Sequence, residues 1–309
     1  MSIRSDGPGF GVSIPLERAA RERHRRRATK VGFLAIVLWA LLALLSTASR
    51  RLPPFELLAL TFAIASLVGL VRMAHAGRSM LSAFQQPAVA WVIGVGGLFG
   101  YHALYFFALA KAPAVQVSLI AYLWPLLIVL LSAGDSPGSG WISRFSGAGL
   151  GLAGVALLVG RDGGQIAFHR EHIMGYLAAL GCAFTWSGYS VLNRKLEKGS
   201  PDSVAGFCVV TAVLGALAHV ATETTVVPTA RETMAVFALG LGPVGAAFFL
   251  WDHGTKYGDL PLLGVLSYAT PLLSTFVLIA FGAATFSWNL ALACAFITGG
   301  AWLGSRAPT

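Results

Sequence analysis

Long uncharged stretches alternate with short clusters of charge along the whole chain. The runs 31–49, 57–71, 79–110, 112–134, 145–160, 172–193, 203–222 and 233–251 contain no Asp, Glu, Lys or Arg. After Asp259 no charge occurs until Arg306, which leaves room for two more apolar segments with a turn near 282–288. About 20 mostly apolar residues span a bilayer as a helix, so the pattern predicts ten membrane-spanning helices. The runs 57–71 and 145–160 are short, and the stems of the flanking Arg72, Arg144 and Arg161 can snorkel to lengthen them. No connection is long enough to form a soluble domain.

Composition agrees with that reading. The 309 residues are 56% hydrophobic and only 11% charged, with a mean hydropathy of +0.72, against roughly 25% charged in an average soluble domain. The net charge of +9 is concentrated, because eight of the 22 Lys and Arg lie in the first 30 residues, most of them in RAARERHRRR (Arg18 to Arg27). No aromatic residues interleave with this segment, so it reads as a topology signal and not as a nucleic-acid arm. The apolar run after it is followed by Arg50 and Arg51, which fits an uncleaved first span better than a signal peptide. With the tail in the cytoplasm and ten spans, both termini are cytoplasmic, and Lys and Arg divide 16 inside to 6 outside. Cys182, Cys208 and Cys294 stand singly within apolar runs without metal-ligand spacing, as small buried hydrophobes do.

The chain also repeats itself. At an offset of 146 or 147, Trp39 falls on Trp186, Pro54 on Pro201, and Tyr122 and Pro125 of AYLWPLL on Tyr268 and Pro271 of SYATPLL. Lys111 and Lys256 match after a shift of one residue. The expected organisation is a basic cytoplasmic tail (1–29), a first five-helix repeat (30–161) and a second five-helix repeat (172–306). Five crossings are an odd number, so the second half begins on the opposite face, and two like halves are then related by a two-fold axis in the membrane plane. Pro125 and Pro271 each remove a helical hydrogen bond, freeing the carbonyls of Ala121 and Ser267. Such breaks are tolerated where they face protein or a watery cavity, which makes the two prolines candidate gating hinges. Trp124 stands where the second half has Thr270, so the first site is expected to take the larger part in recognition.

Ten spans in two halves, a Trp in the first span of each half, and the segment YFFALAKAPAVQVSLIAYLWPLL resemble the drug/metabolite transporter superfamily, in particular its EamA branch. The clusters GYHALYFFALAKAP and AYLWPLL are most similar to bacterial aromatic amino acid exporters of the YddG type. The resemblance covers about residues 30 to 305. It implies an all-α integral protein of the bacterial inner membrane, with two inverted five-helix repeats, that moves small molecules by alternating access.

Several residues are candidates for the chemistry. Tyr101 and Tyr105 are four apart on one helix face, with His102 about 100° away, and all three lie deeper than an interfacial belt. They line a pocket or pack the core. His102, ionisable at that depth, is a functional candidate: it donates to a substrate carboxylate, titrates during transport, or is a neutral ring bonded to a tyrosine hydroxyl. Trp186 and Tyr189 share a face, and Tyr122, Trp124 and Tyr268 complete the expected substrate-binding set. Trp251 adds to the aromatic total. Asp252 and Lys256 read as an ion pair at a helix end, and His219 as isolated, with nothing titratable on its face.

A pocket of Tyr, Trp and His with few fixed charges suits an amino acid with an apolar or aromatic side chain. Phe, Tyr and Trp head the expected range, followed by Met and Thr. No catalytic group, metal ligand set or cofactor site is expected, and the partners are the substrate and the bilayer. Small multidrug exporters in the same superfamily use a deep Glu in the first span, whereas 31–49 contains no acid. Exchange of phosphorylated or nucleotide sugars would need Lys or Arg within the spans, and a membrane-embedded enzyme would need paired acids or a similar constellation. Coupling to protons and facilitated diffusion both remain open from these residues, with the lack of a deep acid favouring the second.

Overall fold

A computed structural model describes residues 13–132, 140–159, 168–195, 202–283 and 285–306, and among them all regular structure is helical. The first half contains α1 (Ser13–Trp39) with α2 (Leu42–Ala48), α3 (Pro54–His75), α4 (Ala88–Val95) with α5 (Tyr101–Lys111), α6 (Ala114–Ala121) with α7 (Trp124–Ser132), and α8 (Gly140–Val159). The second contains α9 (Ile173–Lys195), α10 (Ser203–Thr222), α11 (Ala230–Leu241) with α12 (Ala247–Tyr257), α13 (Leu260–Leu266) with α14 (Ala269–Ala280), and α15 (Trp288–Ser305). Eight of these ten crossings are long and apolar enough to span a membrane on those grounds alone, and α9 and α15 are the other two. Pro201 and Arg161, used in the sequence reading, lie outside the described residues.

Packing follows the expected symmetry. Helix α3 lies along α10, α8 along α15, α1 along α12, and α5 along α9. Exchanging the halves turns the first–eighth pair of crossings into the sixth–third pair and leaves the second–seventh and fifth–tenth pairs unchanged, as a two-fold axis requires. Odd crossings per half place that axis in the membrane plane.

Two boundaries differ from the hydropathy pattern. The basic segment Arg18–Arg27 is part of α1, because Arg, Ala and Glu are strong helix formers. Glu22 also accepts from Arg26 at 2.8 Å and from Arg25 at 3.2 Å. The run 79–110 yields its spanning helix only from Ala88, after a short 3-10 turn at Met80–Ala83, since Pro87 has no N–H to donate and fixes the chain at the N-terminal edge of α4.

Both Tyr-x-x-Pro sites break their helices, at Tyr122–Leu123 and at Ser267–Tyr268. The carbonyl of Ser267, freed by Pro271, accepts from Thr270 N–H at 3.1 Å, a tighter three-residue bond. The third and eighth crossings share a second distortion. Gly96–Gly100 and Gly242–Ala246 are π-helical turns, displaced by 146 residues at both ends. A fifth break, at Ala40–Leu41, has no Pro or Gly to announce it. There Leu41 N–H bonds back only three residues, to Leu38 at 3.1 Å. Trp39, the last residue of α1, donates its Nε1–H to the carbonyl of Pro243 at 3.0 Å, tying this break to the π turn of the eighth crossing.

Charges gather at the two ends of the bundle. At the end bearing the basic helix, Asp259 meets Arg144 at 2.9 Å and Arg25 at 3.6 Å, and its N–H donates to Thr29 Oγ1 at 2.8 Å. Asp202 meets Arg78 at 2.8 Å. At the other end, Glu223 accepts from the N–H groups of Phe55 and Glu56 at 3.0 and 3.1 Å, and Arg51 meets Glu232 at 2.8 Å. His219 is not isolated. Its Nδ1 lies 2.9 Å from Glu223, one helical turn on, and Glu56 approaches from α3. Sequence spacing does place Glu223 at i+4, just beyond the apolar run that ends at Thr222.

Helices touch most closely at glycines. A Cβ on Gly147 would lie 2.5 Å from the Gly300 carbonyl oxygen, and one on Gly300 would lie 2.5 Å from that of Gly147. Small residues of this kind let helices approach within a membrane. Gly147→Leu is expected to lower stability by about 1–3 kcal/mol through overpacking, read as a lower melting temperature in detergent, and an unchanged melt would show that α8 and α15 do not cross here. Trp39→Phe leaves the buried Pro243 carbonyl without its donor and should cost about 1–3 kcal/mol by the same measurement.

Candidate functional site

Four tryptophans meet where the two halves cross. Trp39 ends α1, Trp124 begins α7, Trp186 lies in the middle of α9, and Trp251 lies in α12. Every pair among them is in contact range. Trp39 is 5.1 Å from Trp251, 5.6 Å from Trp186 and 6.4 Å from Trp124, ring centre to ring centre. Trp124 is 5.8 Å from Trp251 and 6.3 Å from Trp186, and Trp186 stacks on Trp251 at 6.3 Å. All four are buried. Edge-to-face and stacked aromatic pairs add about 0.5–1.5 kcal/mol each beyond burial, so the indoles form a cohesive plug between the halves. Trp39 and Trp251 were not in the expected binding set. The signal for Trp39 was its repeat match to Trp186; nothing in the sequence placed Trp251 beside them.

The π turn of the third crossing delivers the next layer. Tyr101 follows it directly, 5.7 Å from Trp186, and stacks on Tyr105 at 6.0 Å. His102 places Nδ1 2.7 Å from the Leu98 carbonyl, inside the π turn. A carbonyl only accepts, so Nδ1 carries the hydrogen and the neutral ring keeps Nε2 as an acceptor. The partner of the ring is thus a backbone carbonyl and not the tyrosine hydroxyl that sequence reasoning offered. The His102 ring sits edge-on to Phe62 at 5.5 Å, and Phe248, its counterpart at the repeat offset, stacks on the same Phe62 at 5.5 Å.

Tyr189 packs at 5.3 Å from Trp186, and its buried hydroxyl has no hydrogen-bond partner. Tyr122 is half-buried at the break between α6 and α7, within electrostatic range of Tyr101 and Tyr105. Tyr268 is fully buried in a separate apolar cluster with Ala148, Val155 and Leu290, so it is not brought to the tryptophans. Pro125 and Pro271 lie in the first turns of α7 and α14. A Cβ on Gly264 would come 3.0 Å from the Pro125 carbonyl, so the two broken crossings touch at the first hinge.

Asp252 and Lys256 do pair, at 2.9 Å, but inside the protein and not on a solvated helix end. An apolar groove of about 450 Å³, lined by Leu119, Leu123, Leu152, Ala156 and Phe168, lies between α6 and α8 and contains none of the expected site residues. Among the described residues no three His, Cys, Asp or Glu side chains converge as a metal site would require.

The chain is similar to known proteins in both sequence and fold. An aromatic amino acid exporter YddG from Ancylobacter novellus is 50% identical over 278 residues, covering 90% of this chain and 96% of that protein. The protein of the same name from Escherichia coli K12 is 25% identical over 301 residues, 91% of this chain and 99% of its own length. A protein crystal structure 49% identical to the chain superposes with a TM-score of 0.85 over 91% of this chain and 98% of that one. A model of the EamA-like transporter family matches twice, at residues 28–160 and 173–306. With nearly all of both halves matched, the chain belongs to the EamA-like transporter family.

Proposed function

We propose that the protein is an amino acid exporter or facilitator, with aromatic amino acids as its foremost substrates and a range extending to Met and Thr. The four-tryptophan contact carries this reading, together with relatives named as aromatic amino acid exporters. A flat apolar side chain entering between the indoles exchanges one aromatic contact for another, so admission costs little and selects for ring-like, apolar substrates. The same faces accept an ammonium group by cation–π contact. The neutral His102 contributes Nε2 as an acceptor for that ammonium.

Movement follows from the breaks. Each half has one crossing interrupted next to a proline, and those crossings meet at Pro125 and Gly264. Bending at one hinge opens the plug to one face while the other half stays closed, which is alternating access about the in-plane axis. The end carrying the basic helix faces the cytoplasm of a bacterial inner membrane, and both termini lie there. The buried acid Asp252 is neutralised by Lys256, which leaves no bare carboxylate at the centre of the described residues to carry protons, so transport runs downhill. The same pairing cancels Lys256 as a fixed charge for phosphorylated sugars.

Reconstituted protein should take up labelled Trp, and Thr more slowly, at rates independent of a pH gradient. Acceleration by the gradient would replace facilitation with proton coupling, and no uptake of any amino acid would remove the assignment. His102→Ala and Trp186→Ala are each expected to cut Trp flux about tenfold or more, the loss of roughly 1.4 kcal/mol of recognition, with membrane insertion unchanged. Wild-type flux in both variants would exclude this centre as the path.

A further inference from the structure

Directly beside the tryptophans, toward the basic end, lies a polar cluster that the aromatic site does not use. Asp252 is 5% exposed, Lys256 4% and Asn193 2%, all within membrane crossings. Asp252 Oδ1 accepts from Asn193 Nδ2 at 2.7 Å and lies 2.9 Å from Lys256 Nζ, which donates to Oδ2 at 3.0 Å. Tyr189, one turn before Asn193 on α9, is 3% exposed and its hydroxyl has no partner, although Asp252 is its electrostatic neighbour. Trp251 precedes Asp252, and its Nε1–H donates to Ser190 Oγ at 3.1 Å.

Stability alone is a poor reason for this arrangement. Desolvating two charges costs about as much as their attraction returns, and apolar replacements of buried pairs are often neutral or better. Nor is the Asn193–Asp252 bond needed to join α9 to α12, because Ser190 and Trp251 already bond across that contact. A buried hydroxyl without a partner is a further cost, one that a ligand with an acceptor group removes. The position is specific as well. At 1.5 Å per residue, Asp252 lies roughly 9 Å inside the Gly258 end of α12, immediately on the basic side of the Trp251 indole.

We infer that Asp252 and Lys256, positioned by Asn193 and joined by Tyr189, form a second substrate station that holds the α-ammonium and α-carboxylate of the amino acid on the loading side of the tryptophan plug. This inference rests on the amino acid reading above. An α-amino acid carries opposite charges on one carbon and an apolar group beyond them. The protein presents a carboxylate, an ammonium and an indole in the complementary order. In the empty site the two protein charges satisfy each other. A zwitterion enters by exchange, its ammonium to Asp252 and its carboxylate to Lys256 and the Tyr189 hydroxyl, so no net charge is added to the low-dielectric interior.

The station is confined to one end of the bundle. At the repeat offset the first half has Phe106 and Ala110 in place of Asp252 and Lys256. Its own lysine, Lys111, is exposed, with Nζ 6.0 Å above the Phe107 ring. The charge-reading step therefore belongs to the basic end, the proposed cytoplasmic side, where an exporter collects its cargo. The asymmetry does not set the direction of flux, which follows the gradient. It sets which groups are read before the indoles part.

The test uses the full-length protein in liposomes loaded with unlabelled Trp, following counterflow of labelled Trp. The double variant Asp252→Asn with Lys256→Gln removes both charges and leaves neither bare, so its melting temperature should stay near wild type. Its counterflow is expected to fall at least tenfold, whereas wild-type counterflow would reduce the pair to a structural tie and overturn the inference. A second measurement needs no variant. On the wild-type protein, tryptamine and indole-3-propionate, each lacking one of the two charged groups, should inhibit Trp counterflow at least tenfold more weakly than Phe does. Equal potency would also overturn the station. If the wild-type protein moves no amino acid, the proposed function fails together with the station; if it moves Trp and the double variant does so equally well, only the station fails.

Discussion

Inside a bilayer every backbone N–H and C=O must find its partner within the protein, and this requirement organises the molecule. An unbroken helix meets it at no cost, yet five of the ten crossings are interrupted, three by a turn and two by a π-helical segment. Carbonyls at these interruptions find partners within the same crossing or across the bundle. Ser267 gives its freed carbonyl to Thr270, the Leu98 carbonyl in a π turn takes the His102 ring, and the Pro243 carbonyl in the other takes the Trp39 indole. Irregular backbone thus collects at the meeting of the two halves, where side chains are available to satisfy it. The same backbone freedom that would be ruinous against lipid is used here to hold the His102 ring and the Trp39 indole.

Charge obeys a parallel rule. Asp259, Asp202 and Glu232 pair with guanidinium groups at the two ends of the bundle, and Glu223 accepts from the N–H groups at the start of α3, so that crossings far apart in sequence are drawn together. Asp202, Asp259 and Glu232 are themselves buried, and each is matched by an arginine that reaches further toward the surface. The centre is aromatic instead, and cohesive without charge. The buried Asp252 and Lys256 stand between these regimes, too deep to be a solvated clasp and too polar to be part of the plug.

Much of this was legible in the residues. Uninterrupted apolar runs located ten crossings, because lipid admits no other spanning element from such a sequence. The 146-residue offset and the odd number of crossings per half implied the inverted axis, and the prolines at 125 and 271 located two of the helix breaks, since a ring cannot donate. Tyr101, His102, Trp186 and Tyr189 stood out by depth, helical spacing and the repeat, and Trp124 by its place beside Pro125; all five lie at the crossing. Tyr268, chosen by the same repeat logic, packs instead against α8 and α15. The repeat relates backbone positions, whereas a side chain's neighbours depend on which helix lies opposite.

The sequence by itself determined the number of crossings, the symmetry that relates them and the kind of surface the centre presents, because hydropathy, parity and proline chemistry act locally along a chain. Only the tertiary structure decided which residues meet. Trp39 and Trp251 lie 212 positions apart and touch, and the break after Trp39 has no proline or glycine to mark it. Beside that break the Trp39 indole donates to the carbonyl of Pro243, in the π turn of the other half. Contacts between helices are set by the geometry of both partners at once, and no local pattern carries that information.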